Sequence, residues 1–297
     1  MTRISPGEHV CDAVRRLAHH RLHPALEALD SASEADVDEV VHDVRKRCKR
    51  ARGLLRLVRP DMGDEVYHRE NRVLRDAARA VSDLRDAAVQ VSVYDAVVRD
   101  CGVPLPGLRA TLVKRHEDLR REVLEGDTLL NLRASLAAAV ARTETWPVEG
   151  VDWDVLGAGL KRIYRRGRTA MAAAYDDPST ERFHSWRKRT KYLHRQLELL
   201  EELWPDVVGG AAKTAHALTD TLGEAHDLAV LQGALEAEGF GSEPGADHVV
   251  EFIESRRDVL RAQARPIGLR LYAEKPSRFV ARLGQYWEAG VRPATAA

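Results

Sequence analysis

Apolar residues along this chain recur three and four positions apart, and no segment shows the strict alternation that a half-buried strand requires. The spacing predicts helices over about 7–30, 34–58, 63–101, 108–125, 128–143, 152–176, 179–203, 209–238, 247–264 and 277–289. Turn-forming residues separate them. The acidic, serine-rich Asp30-Ser31-Ala32-Ser33 ends the first helix, Ser33 reads as the N-cap of the second, and Pro60 as its stop. Cys101-Gly102-Val103-Pro104-Leu105-Pro106-Gly107 and the stretch from Gly239 to Gly245 read as loops, and Pro205 follows the helix over 179–203. The fold class is all-α.

Two of these helices are sharply two-faced. With His42 set at 0° on a wheel of about 100° per residue, Arg45, Lys46, Lys49, Arg52 and Arg56 fall within about 80° of it. The apolar Val44, Cys48, Leu54, Leu55 and Val58 fall opposite, between about 120° and 240°. The helix over 179–203 repeats the pattern, with His184, Arg187, Lys188, Lys191 and His194 on one face and Trp186, Leu193, Leu197 and Leu200 on the other. Both helices spell H-x-x-R-K-R-x-K, and His184 lies 142 residues after His42.

The repetition extends beyond the motif. Leu84-Arg85-Asp86-Ala87-Ala88-Val89 matches Ala225-His226-Asp227-Leu228-Ala229-Val230 at an offset of 141, which also sets Arg72 against Lys213 and Arg115 against Arg256. A nearly constant offset indicates duplication of a helical unit. The expected architecture is two four-helix bundles packed pseudo-symmetrically, one from residues 1–146 and one from 151–290, joined at Trp146-Pro147-Val148-Glu149-Gly150. Such a pairing can turn the two cationic stripes toward each other.

Charge sharpens this picture. Lys plus Arg number 46 and Asp plus Glu also 46, so the net charge is zero, and the chain cannot coat nucleic acid by bulk positive charge. Arginine outnumbers lysine 38 to 8, yet Lys46, Lys49, Lys188 and Lys191 occupy matched motif positions. The three cysteines lack C-x-x-C spacing, and Cys48 on an apolar face reads as a small buried hydrophobe in a reducing compartment. No apolar run approaches the length of a membrane span, and the N-terminus has no secretory apolar region; a soluble, cytoplasmic protein is expected.

Cations at one per helical turn or better suit a linear anion with regularly repeated charge, arginine as a planar fork and lysine as a point charge. One basic run alone would read as a solvated helix face; two in the same residue order do not need that order for solvation. Further candidates are Arg72, Arg75 and Arg79, which share a face, then Arg85, Arg115, Arg165, Arg168, Lys213 and Arg256. His42 and His184 are poor metal ligands here, because Arg and Lys fill the positions three and four residues on. Beside phosphates their protonated form would be favoured, which strengthens binding at mildly acid pH. Asp86 and Asp227 read as partners that orient or neutralise basic side chains. Trp153, Trp186, Trp204 and Trp287 read as core or cap packing, and no aromatics interleave with the basic stripes. There is no P-loop, G-x-G-x-x-G, G-x-S-x-G or H-E-x-x-H, so neither a cofactor nor a metal is implied.

The duplicated H-x-x-R-K-R-x-K, the later L-R-D and A-H-D segments, and the ending Gly268-Leu269-Arg270-Leu271-Tyr272-Ala273-Glu274-Lys275-Pro276 resemble the CHAD family, the conserved histidine α-helical domain, over about residues 8–288. The resemblance implies one CHAD-like domain over 1–297 whose two bundles enclose a basic cavity that binds inorganic polyphosphate. It further implies a bacterial or archaeal cytoplasmic protein, often on polyphosphate granules; the triphosphate tunnel module fused to some members is not expected here. The motif residues carried over are His42, Arg45, Lys46, Lys49 and Arg52, then His184, Arg187, Lys188 and Lys191. His194 stands where the family has arginine, and Arg195, about 20° from His184 on the wheel, compensates. The reading is a polyphosphate binder without catalysis and without a membrane partner. The alternatives are a phosphoanhydride-processing enzyme, which would need clustered carboxylates for magnesium, and a nucleic-acid binder, disfavoured by the zero net charge.

Overall fold

A computed structural model describes residues 2–150 and 153–291. Their regular structure is entirely helical: α1 (Val10–Asp30), α2 (Val37–Met62), α3 (Asp64–Ala80), α4 (Ser82–Cys101), α5 (Pro106–Glu125), α6 (Thr128–Thr143), α7 (Trp153–Asp176), α8 (Thr180–Leu199), α9 (Pro205–Ala237), α10 (Ala246–Leu271) and α11 (Pro276–Val291). Short 3-10 turns follow α8 and α9.

α2 and α8 are central because their apolar stripes have to be covered. Val44, Cys48, Leu54, Leu55 and Val58 of α2 and Trp186, Leu193 and Leu197 of α8 are all at most 1% exposed. α2 packs on α1, α3, α7 and α8, and α8 packs on α7 and α9. α7 and α2 approach closely. A Cβ on Gly159 would lie 1.8 Å from the Leu57 carbonyl oxygen, so only glycine allows the two backbones to meet there. At the crossing of α2 with α8, a Cβ on Gly53 would lie 3.2 Å from Arg195 Cβ.

The core does not divide at the 146–151 junction. One cluster joins buried side chains from α1, α2, α3 and α6 with those from α7, α8, α11 and the first half of α9. A separate cluster holds Tyr94 and Val97 of α4, Leu108 and Leu112 of α5, Leu231 and Leu235 of α9, and Val249 and Ile253 of α10. The described residues of 1–150 and 153–291 therefore share one large core, with a second one at the distal ends of α4, α5, α9 and α10.

Several expected boundaries move. The predicted 63–101 helix is two, broken at the buried Val81 (φ −116°, ψ 21°), where the Ser82 hydroxyl donates to the Arg79 carbonyl at 2.8 Å. Ser33 does not cap α2; its hydroxyl bonds Asp36, and the helix begins at Val37. Pro60 lies inside the last turn, and Gly63 (φ 75°) ends the helix. By contrast, Ser179 does cap α8, accepting from the Arg182 N–H at 3.2 Å. α10 runs past its expected end at 264 through Pro266 to Leu271. Trp186 and Trp287 are buried as expected, while Trp204 is 47% exposed and stands edge-on to Tyr286.

Candidate functional site

Burying the apolar stripes leaves the opposite faces of α2 and α8 looking into a common cleft. The cleft has a volume of about 580 Å³ and four walls, from α2, α4, α8 and α9. From α2 come His42, Arg45, Lys46 and Lys49, and from α8 come His184, Arg187, Lys191 and Arg195. α4 contributes Arg85, Asp86, Val89 and Gln90, and α9 contributes His226, Asp227 and Val230. The two cationic stripes face each other. Seven arginine or lysine side chains and two carboxylates line this space, on a chain whose net charge is zero.

The crowding of cations shows in their proton affinities. Desolvation among its neighbours, then repulsion from Arg45 and Lys191, pulls Lys49 down to about 8 although part of the residue stays exposed. Burial, then Arg187 and Arg195, does the same to Lys191, also to about 8. Partial desolvation lowers His42, which remains exposed, helped by Arg85 and Lys46. His184 falls to about 4 through burial and the neighbouring His226, whose ring lies 4.3 Å from its own. His226 is lowered as well, by burial and Arg187. The imidazoles are thus neutral near pH 7, and the ionised lysines hold their charge against desolvation and mutual repulsion.

The carboxylates differ. Asp86 accepts from Arg45 Nη2 at 2.9 Å, while Arg45 Nη1 donates to the Val81 carbonyl at 3.3 Å. Asp227 has its pKa raised by burial, opposed by Arg187 and Lys191. Both therefore lie among the basic side chains. Arg45 Nε, Arg187 Nε, His184 Nδ1 and His226 Nδ1 are buried without a protein partner, all four on residues of this one cleft.

Not every predicted residue reaches the cleft. On α2 only the early part of the stripe does, because neighbouring helices close over Arg52 and Arg56, whereas α8 reaches the cleft from His184 to Arg195. Arg52 Nε and Arg56 Nη2 both donate to Asn71 Oδ1 on α3, at 3.1 and 3.2 Å, and the Arg56 guanidinium lies 4.1 Å over the Tyr192 ring. Arg72, Arg75 and Arg79 are exposed along α3, with Arg75 paired to Asp76. Arg165 and Arg168 are exposed on α7, Lys188 on α8 and Lys213 on α9, and none lines the cleft. Arg115 lines a smaller neighbouring cavity of about 250 Å³ that shares Asp86 and Gln90. Arg256 lies in an adjoining cavity, paired to Glu224 at 2.7 Å.

Arg195 does line the cleft and bonds Glu198 at 2.7 Å. His194 is buried, and burial brings it down to about 4, so it adds no positive charge at neutral pH. His226 was not among the residues singled out, although it holds in the A-H-D segment the place of Arg85 in L-R-D. Cys48 behaves as the small hydrophobe expected of it, its thiol pushed up to about 12 by burial, and the three cysteines are free. Among the described residues, no group of three or more His, Cys, Asp or Glu side chains is placed to hold a metal ion. Among the described residues, no helix is long and apolar enough to cross a membrane.

Comparison with known proteins agrees with this architecture. The family profile described as CHAD domain matches residues 16–236. The fold is similar to the crystal structure of the CHAD domain from the plant Ricinus communis, with a TM-score of 0.59 at 18% identity over 95% of this chain and 93% of that one. A CHAD domain thus occurs in a plant, outside the bacteria and archaea that the resemblance implied. No curated protein matches the chain.

Proposed function

The chain belongs to the CHAD domain family, and from this premise we propose that its central cleft binds inorganic polyphosphate without turning it over. The observation that carries the reading is the concentration of seven cationic side chains against two carboxylates in one cleft of a protein with no net charge. A chain of phosphates fits that asymmetry. Each unit brings negative charge at a regular interval, and the opposed stripes supply donors from both sides. Bound phosphate relieves the repulsion between Lys49 and Lys191 and raises both pKa values, so both are fully protonated in the complex. Binding is then salt-sensitive through counterion release.

Binding without turnover is the reading because of where the carboxylates are. Asp86 is engaged by Arg45, and Asp227 lies beside Arg187 and Lys191. Each tempers the wall it sits in. In a cell, such a cleft would hold the protein on cytoplasmic polyphosphate granules.

The test is an anisotropy titration of the full chain with labelled polyphosphate, competed by single-stranded DNA and by orthophosphate. Polyphosphate is expected to bind tightest. Equal affinity for DNA would overturn the proposal, and phosphate released on adding magnesium would replace the binder with an enzyme.

A further inference from the structure

A second cavity, of about 520 Å³, opens between α4, α8, α9 and α10. It shares one wall with the cleft, since Arg187, Lys191, Arg195 and Asp227 line both. Its far side has different chemistry. Val97, Leu228 and Phe252 form an apolar floor, and the carboxylates of Asp100, Asp220 and Glu224 stand around it. His216 pairs with Asp220 at 2.8 Å, and its ring lies 4.7 Å from that of His194. Arg256 pairs with Glu224 at 2.7 Å.

A bare phosphate chain gains little from that side, where Arg99 and Arg256 are already paired to Asp100 and Glu224. Carboxylates repel it, and an apolar floor leaves its charges without partners. A ligand that satisfies both ends carries phosphate at one end and a flat apolar ring with hydrogen-bond donors at the other. An acyl phosphoester would cover the floor but offer the carboxylates no donors, and a sugar phosphate has donors but no apolar face. The volume falls within the range of about 300–1,000 Å³ typical of small-molecule sites.

We propose that this second cavity binds a nucleotide. Its phosphates reach Arg187, Lys191 and Arg195, its base lies on Phe252 and Val97, and its hydroxyl or amino donors face Asp220 and Glu224. The proposal rests on the reading that the shared cations take phosphate, and it adds a subsite that polyphosphate does not use. Nucleotide and polyphosphate then compete for the shared wall.

The experiment measures a fluorescent ADP analogue bound to the full chain, displaced by ADP or by pyrophosphate, which has similar charge and no base. ADP is expected to displace the analogue at least about tenfold better than pyrophosphate, the effect of burying one ring system. Ala96→Trp, which fills the cavity from a position on α4 outside the cleft lining, should weaken ADP by a similar factor. Phe252→Ala, which empties the floor, should weaken it severalfold. Polyphosphate affinity, measured on the same preparations, should stay within about twofold for both variants. Equal displacement by ADP and pyrophosphate, or unchanged ADP affinity in both variants, would overturn the nucleotide site. Polyphosphate binding without any ADP binding would also overturn it. ADP binding without polyphosphate binding would leave it standing and sink the reading of the cleft instead.

Discussion

The two motif helices share a residue order but not an electrostatic state. On α2, His42 is exposed, and both terminal nitrogens of Arg45 are already bonded to protein, one to Asp86 and one to the Val81 carbonyl. On α8, His184 is half-buried against His226, and Arg187, whose Nε is buried and unpartnered like that of Arg45, has neither kind of bond among the described residues. Equivalent letters therefore play unequal parts. The α2 wall is tied down by its own carboxylate, and the α8 wall keeps more of its donors for a ligand. Lys49 and Lys191 are the exception, since both are drawn down to about 8 by desolvation and the neighbouring cations.

Breaking what the two walls have in common gives the largest effect. Lys49→Glu with Lys191→Glu reverses a charge on each side, and polyphosphate affinity should fall on the order of 100-fold, while circular dichroism reports unchanged helicity. The next test separates the walls. Arg187→Ala and Arg45→Ala remove the same charge, but Arg187 should cost about tenfold in affinity and Arg45 only about threefold, because Arg45 has fewer donors left to give. Equal losses in the titration would mean that charge alone matters and that the walls are equivalent.

The pH dependence is a smaller, signed effect. Lys49 and Lys191 lose their protons near pH 8 in the free protein, while a bound polyanion keeps them charged. Polyphosphate affinity should therefore fall as pH rises through about 8. The stability of the free protein runs the other way. The unfolded chain holds these protons up to the ordinary lysine value of 10.5, so stability should rise with pH between about 8 and 10.5, as thermal unfolding can show. On the acid side, His184 is neutral down to about 4 in the free protein, and phosphate should draw a proton onto it. Affinity should tighten as pH falls below the ordinary histidine range, and His184→Gln should remove more of that gain than His42→Gln. The smallest effects belong to cations outside the cleft. Arg165→Ala, Arg168→Ala and Lys213→Ala should each change affinity by less than about twofold, since exposed charges at a distance are screened.

Much of this was legible from residue order. Burial of the stripe opposite His42 follows from the wheel, and the twin motif at 142 residues pointed to two walls rather than one basic surface. What the wheel cannot say is which turns of a stripe stay open. Arg52 and Arg56 lie on the same line as Arg45 and Lys49, yet Asn71 and Tyr192 close over them, and only tertiary packing decides that. The break at Val81 carries no glycine or proline, so periodicity ran the two helices together. His226 was visible only as the partner of Arg85 in an aligned segment, and a histidine opposite an arginine draws little notice until its ring is found against His184. The adjoining cavity had no signature at all, because its lining comes from four helices with no common spacing.

Whether polyphosphate lies between α2 and α8 can be seen in a crystal structure of the protein with a short polyphosphate. Phosphate oxygens are expected within hydrogen-bonding distance of both Lys49 Nζ and Lys191 Nζ, with Arg187 donating from the same side as Lys191. Phosphate bound instead along the exposed arginines of α3 or α7, with the cleft holding only solvent, would contradict this placement.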